Sequence, residues 1–353
     1  MTDDEFCIDI LPRVSRTFAI SIEALPEPLR TTIRVSYLLC RIVDTIEDDP
    51  SLERGRRAEL FELFRSLVQD DAASPAPLER AFAGGSESHD RELCRNAGAA
   101  FRVFRRVQRP LADAARPHVL EMASGMAEYT ERWRGPGQLT VLRDREDLER
   151  YCYFVAGTVG NLLTDVFIAT EKGLSAATRD GLKQRSVAFG LGLQMTNIVK
   201  DVTADRARGW CFLPETFCER RGIAPEDLLD RGRRVAAMNV VRDVADLAYR
   251  NLDEAIEYTV LLPCSARDVR LFVLVPLVLA LATLGLVRES PAVLEPGKAV
   301  KVSRATVASV LARADAVVQD DQGIRELCDQ AAKHGFGVSS AWRPWRSRRP
   351  SSR

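Results

Sequence analysis

Between Arg270 and Arg288 the chain runs for 17 residues, LFVLVPLVLALATLGLV, without a charge. A segment this apolar has to leave water, either inside a protein core or in a bilayer. It falls short of the ~20 residues of a typical spanning helix and carries Pro276 near its start. The expectation is a buried central helix, with membrane contact as the alternative. A chain of 353 residues, 46% of them hydrophobic, has enough apolar material to enclose such a helix.

Elsewhere apolar residues recur at helical spacing, and β-branched alternation between hairpin turns is hard to find, so the expected class is all-α. The pattern breaks at 70–90, where Ala, Ser, Gly and Pro predict a surface loop, at 132–140 and near 290–297. None of these breaks is long enough for a domain linker. Residues 1–338 are therefore expected to form one helical domain. Residues 339–353 are read as a basic, disordered tail, with contact to anionic lipid as the weaker reading.

The 50 Lys and Arg balance the 50 Asp and Glu, which removes the electrostatic case for nucleic acid as the main partner. Eight cysteines without a C-x-x-C pair read as reduced, mostly buried thiols. The three histidines, His89, His118 and His334, are far apart, which disfavours a zinc site or a histidine triad. The acidic start MTDDEFCIDI has no basic and apolar leader pattern. A cytoplasmic protein, peripheral to membrane at most, is the expectation.

Two polar stripes carry the chemistry. Tyr37, Arg41, Asp44 and Asp48 stand at i, i+4, i+7 and i+11, within roughly 60° on a helical wheel. Apolar residues such as Leu38, Leu39, Ile42 and Val43 fill the rest of that helix. In GLGLQMTNIVKDVTAD, Gln194, Asn197, Asp201 and Asp205 repeat the arrangement within roughly 80°. Carboxylates one turn apart repel unless a cation lies between them. Mg²⁺ suits such a site, because it takes a few carboxylates together with water and phosphate oxygens. Two facing helices of this kind would grip a diphosphate through shared Mg²⁺ (or Mn²⁺) and favour its departure. Two solvated acidic helix ends are the plainer alternative.

At these residues the chain resembles the squalene and phytoene synthase family of head-to-head prenyl transferases. Ser15-Arg16-Thr17-Phe18 is similar to its S-R-[ST]-F segment, and DTIEDD at 44–49 to its first aspartate-rich motif. YCYFVAGTVG at 151–160 resembles the central Y-x-x-x-V-A-G-x-V-G helix, and NIVKDVTAD at 197–205 the second motif. The resemblance implies the all-α isoprenoid-synthase fold with a central cavity. Residues 271–284 and KAVKVSR at 298–304 look more like the squalene branch than the phytoene branch. Two positions depart from the family pattern: Lys200 stands where Arg is usual, and Trp210 where phytoene-type members often have Arg.

The activity implied is the joining of two farnesyl diphosphates to presqualene diphosphate, then NADPH-dependent reduction to squalene by a chain acting as a monomer. Asp44, Asp48, Asp201 and Asp205 are the implied metal ligands, and Arg16, Arg41 and Lys200 the phosphate partners. Thr17, Gln194 and Asn197 complete the implied substrate contacts. Phe18, Val155, Val159, Leu193 and Phe272 would form a dry wall. Tyr37 and Tyr151 are candidates for relaying a proton, or else for packing against a carbocation. Ala156, Gly157 and Gly160 would leave room for the prenyl chain, unless the glycines serve close helix packing. Lys298, Lys301 and Arg304 would hold the phosphates of NADPH, unless they are simply a solvated face. The competing readings are a phytoene or dehydrosqualene synthase without a reductant, and a non-catalytic helical protein that binds isoprenoid diphosphates or a membrane.

Overall fold

A computed structural model describes residues 1–84, 87–135 and 137–334, apart from the side chains of Arg16, Thr17 and His334. The Trp/Arg tail lies outside the described residues. Among the described residues, seventeen α-helices account for nearly all the regular structure. A single hydrophobic cluster runs through them from Phe6 to Ala332.

The apolar run lies in the helix Arg267–Glu289, and 83% of its most apolar 18-residue window is buried inside the molecule. It packs against Arg234–Leu261, Ala176–Lys200 and Asp321–His334. The arginines that flank the run also turn inward. Arg270 is fully buried and donates to the Val318 carbonyl at 2.9 Å and to Asp321. Arg288 pairs with Asp246 and lies 5.6 Å from the Tyr249 ring centroid. Both charges are spent on protein partners, which makes this the central core helix of the bundle. The Arg145–Thr170 stretch is also long and apolar enough to cross a membrane by composition, and half of its window is buried.

Other details differ from the expectations. The 70–90 segment contains a helix, Ala76–Ala81, anchored by buried Leu78, so its Ala-rich composition hid a packed turn. The second acidic helix does not run through to Asp205. It ends at Lys200, Asp201 leaves helical geometry (φ −107°, ψ 18°), and Val202–Ala207 resumes as a separate turn. Two short strands, Thr140–Val141 and Trp210–Cys211, pair in parallel. Gly209, at φ +84°, makes that pairing possible: its carbonyl accepts from the Thr140 N–H at 2.8 Å, and a side chain there would crowd Gln138 and Trp133. Seven of the eight cysteines are buried and all are free.

Asp147 fastens the helix that carries Tyr151. Its buried carboxylate accepts from both Arg132 guanidinium nitrogens at 2.7 Å, from the Tyr129 hydroxyl at 3.0 Å and from the Arg143 N–H at 3.0 Å. Burial by itself would raise the carboxyl pKa, but these donors outweigh it and hold it well below the usual carboxylate range. Its stabilising contribution is therefore complete at neutral pH and is lost as acid protonates it in the native state. Asp147→Asn should cost about 3–5 kcal/mol, because it leaves Arg132 without its charge partner. Urea unfolding at pH 7.5 checks this, and the gap from wild type should narrow on acidification.

Candidate functional site

The four central motifs meet at one cavity of about 450 Å³. The helix Leu29–Asp48 forms one wall and presents Tyr37, Arg41, Asp44 and Asp48. The helix Ala176–Lys200, continued by Val202–Ala207, forms the facing wall with Leu193, Gln194, Asn197, Lys200, Asp201 and Asp205. The floor is apolar: Phe18, Val155, Val159 and Phe272 line it. Ser15 begins this wall by capping the helix Arg16–Glu23, its hydroxyl accepting from the Phe18 N–H at 3.2 Å.

Between Tyr153 and Gly157 the central motif is wound as a π-helix, a form frequent at functional sites. Val155 and Ala156 from this turn line the cavity. Gly160 instead serves close packing of the helices Thr158–Thr170 and Ala176–Lys200, and Gly190, which lines the cavity, lets the second of these helices pack against the π-helical turn. A Cβ on Gly160 would come within 2.1 Å of the Ser186 carbonyl oxygen, and one on Gly190 within 2.1 Å of that of Ala156. Gly157 is hemmed in by Tyr153, Leu191 and Val187.

Not every expected residue reaches the cavity. Lys298, Lys301 and Arg304 are exposed on the segment after Glu289 and do not line it. Lys298 pairs with Glu295 at 2.6 Å. The turn before them, Pro291–Leu294, packs against the helix Val202–Ala207 that carries Asp205. The Arg16 and Thr17 side chains lie outside the described residues.

Several cavity residues were not anticipated. Glu47 follows Asp44 by three positions and shares its face, a signal already present in the spacing. Arg208 follows Asp205 by three and pairs with both Asp205 and Asp48. Ser36, Cys40, Met122, Phe189 and Phe212 also line the space, and Phe212 stacks on Tyr151 with ring centroids 4.4 Å apart. Tyr151 in turn meets Tyr129 edge-on at 5.1 Å.

The electrostatics follow from burial of like charges. Burial pushes the Asp44 carboxyl up to about 6, Arg41 opposes this, and neighbouring Asp48 adds to it. Asp205 is likewise pushed to about 6 by burial, against the pull of Arg208. Glu47 is raised well above its usual range by burial, then by Asp48 and Asp44. Burial raises the Tyr37 hydroxyl to about 12, and burial with nearby Glu47 and Asp48 raises Tyr151 well above its usual value. Both phenols are neutral near pH 7, so they can donate a hydrogen bond but are poor proton acceptors.

Among the described residues no three carboxylate, histidine or cysteine side chains stand together as a preformed metal set. Basic side chains engage the four aspartates instead. Asp44 pairs with Arg41 at 3.4 Å, Asp201 with Lys200 at 2.9 Å, and Asp48 and Asp205 with Arg208. One guanidinium spans the two walls, so their carboxylates lie close enough to share a cation. Hard oxygen donors from facing helices fit Mg²⁺.

An all-α chamber with opposed acidic rows above an apolar floor is the isoprenoid-synthase helical fold. Residues 11–306 match the family model described as squalene/phytoene synthase, and the chain belongs to that family. It is 26% identical over 328 residues to a probable squalene synthase of Neurospora crassa, covering 92% of this chain and 64% of that protein. It is 28% identical over 312 residues to the squalene synthase of Cyberlindnera jadinii, covering 86% and 66%. The chain thus spans slightly less than two thirds of the length of these relatives. The solved complex of TcSQS with a ligand is similar at a TM-score of 0.81 and 25% identity, covering 97% of this chain and 94% of that one.

Proposed function

We propose that this chain joins two farnesyl diphosphates head to head into presqualene diphosphate and reduces that product to squalene with NADPH. The observation that carries the reading is the pair of acidic rows facing each other across one apolar-floored cavity. Membership of the squalene/phytoene synthase family and likeness to squalene synthases support it.

In this reading Asp44, Asp48, Asp201 and Asp205 hold Mg²⁺, which neutralises charge developing on a departing diphosphate. Arg41 and Lys200 stand beside these rows and offer hydrogen bonds to phosphate oxygens. Gln194 and Asn197, two turns and one turn before Asp201, add neutral polar contacts, and Arg16 and Thr17 are assigned to the same end. Phe18, Val155, Val159, Leu193 and Phe272 keep water from the carbocation, which water would otherwise convert to an alcohol. The neutral Tyr37 and Tyr151 would meet that cation with their ring faces rather than as a phenolate base. The proton released on cyclopropane closure then passes to another acceptor, and the freed diphosphate is chemically suited to take it.

Lys298, Lys301 and Arg304 are assigned to the phosphates of NADPH, which supplies the hydride of the second half-reaction. Their segment continues from the turn packed on the Asp205 helix, and this favours the assignment. The chain is proposed to act as a monomer that touches membrane only through its Trp/Arg tail. Removing the residues after Val338 should then lower co-sedimentation with anionic liposomes.

The deciding experiment incubates purified protein with Mg²⁺ and either farnesyl or geranylgeranyl diphosphate, with and without NADPH. Squalene formed from the shorter substrate, and only with NADPH, is the expected result. Phytoene from the longer substrate, or dehydrosqualene without reductant, would replace this reading, and no product from either would favour a binding protein.

A further inference from the structure

The proposed reaction leaves the role of Arg208 open. Its guanidinium donates to Asp205 Oδ1 at 2.6 Å and also to Asp48 Oδ1, so it joins side chains 160 and three residues away in sequence. Among the described residues no other cation pairs with both acidic rows. Arg41 reaches Asp44 along its own helix and Lys200 reaches its chain neighbour Asp201. A planar guanidinium holds two carboxylates in fixed geometry by donating from separate nitrogens. A divalent ion shared by Asp48 and Asp205 would draw on the same two carboxylates and meet the guanidinium charge beside them.

The side chain of Arg208 is also free to leave. It is 43% exposed and stands at the end of the short Val202–Ala207 helix, just before Gly209. Swinging outward moves the charge into water rather than into the core, so release carries little desolvation cost.

We propose that Arg208 is a displaceable internal cation: it bridges the two acidic rows, competes with divalent metal for Asp48 and Asp205, and is freed at the cavity mouth to bind the incoming diphosphate. The inference rests on the metal assignment made above. It predicts that metal alone binds weakly, since an ion shared by Asp48 and Asp205 must first displace a guanidinium, and that diphosphate strengthens metal binding by giving Arg208 a new partner.

Direct metal binding tests this without any turnover. Mn²⁺ is titrated into the full chain, and free Mn²⁺ is followed by electron paramagnetic resonance for wild type, Arg208→Gln and Arg208→Lys, each with and without inorganic diphosphate, and the Mn²⁺ that diphosphate chelates in a protein-free titration is subtracted. Arg208→Gln should bind Mn²⁺ alone roughly tenfold more tightly than wild type, because a competing charge a few ångströms away is gone. Arg208→Lys should fall between them, and diphosphate should tighten Mn²⁺ binding less in Arg208→Gln than in wild type. If Arg208→Gln does not fold, Arg208→Lys alone must still bind Mn²⁺ more tightly than wild type. Equal Mn²⁺ affinity in wild type and the folded variants overturns this inference and leaves the metal assignment standing. No Mn²⁺ bound by any of them, even with diphosphate, overturns both.

Discussion

Asp44→Asn and Asp201→Asn should each lower formation of the proposed product, squalene, by roughly 100-fold or more, the scale on which loss of a charge-stabilising group acts. The two substitutions come from opposite walls of the cavity, so a common effect would mean that both rows serve the same step. Stability should not follow activity. The Asp44 carboxyl is partly buried and pushed up to about 6, so the native state keeps a proton that the unfolded chain has already lost between about pH 4 and 6. That carboxyl therefore favours the fold most when protonated, and the benefit is lost as pH rises through about 6. At pH 7.5 its charge is a cost that Asn relieves, and Arg41 keeps Asp90 at 2.8 Å as a partner. Melting in EDTA should show Asp44→Asn at least as stable as wild type while product formation collapses. Turnover retained in both variants would end the proposed mechanism, and a joint fall in melting temperature and activity would show that the carboxylate is structural.

Gly190→Ala should be the most damaging single methyl group in the molecule. The added Cβ would stand 2.1 Å from the Ala156 carbonyl oxygen, 2.4 Å from its carbon and 2.7 Å from the Gly157 nitrogen, and no rotamer change relieves a clash with backbone. Two helices must separate, and one side of the gap is the π-helical turn that places Val155 and Ala156 in the cavity. Overpacking of this kind costs about 1–3 kcal/mol where side chains can adjust, and more is expected where they cannot. Gly55, which meets nothing within 4 Å, provides the contrast. Gly55→Ala should be neutral or slightly stabilising in a helix, whereas Gly190→Ala should lower the denaturant midpoint sharply. If the two behaved alike, the close crossing would be wrong.

Much of the site is legible in the sequence because helical spacing is a local rule. Tyr37, Arg41, Asp44 and Asp48 fall on one stripe whatever surrounds them, and the cavity receives all four. The same rule places Glu47 and Arg208 within one turn of aspartates, a signal in the spacing that the stripe reading passed over. The break at Asp201 escaped it, because nothing in NIVKDVTAD names the residue at which a helix ends. The basic stretch from Lys298 is a strong local pattern whose side chains the fold leaves at the surface, outside the cavity lining.

Residue order alone determined an all-α chain, a helix that had to be enclosed, and two acidic stripes that could not rest together without cations, since periodicity and like-charge repulsion act over one or two turns. The tertiary structure decided which stripes face each other, that Arg208 bridges them, that Phe212 stacks on Tyr151, and that Gly160 brings backbones together rather than leaving room for substrate. Each of these depends on contacts between residues far apart in the chain, and only packing of the whole bundle brings those residues within reach.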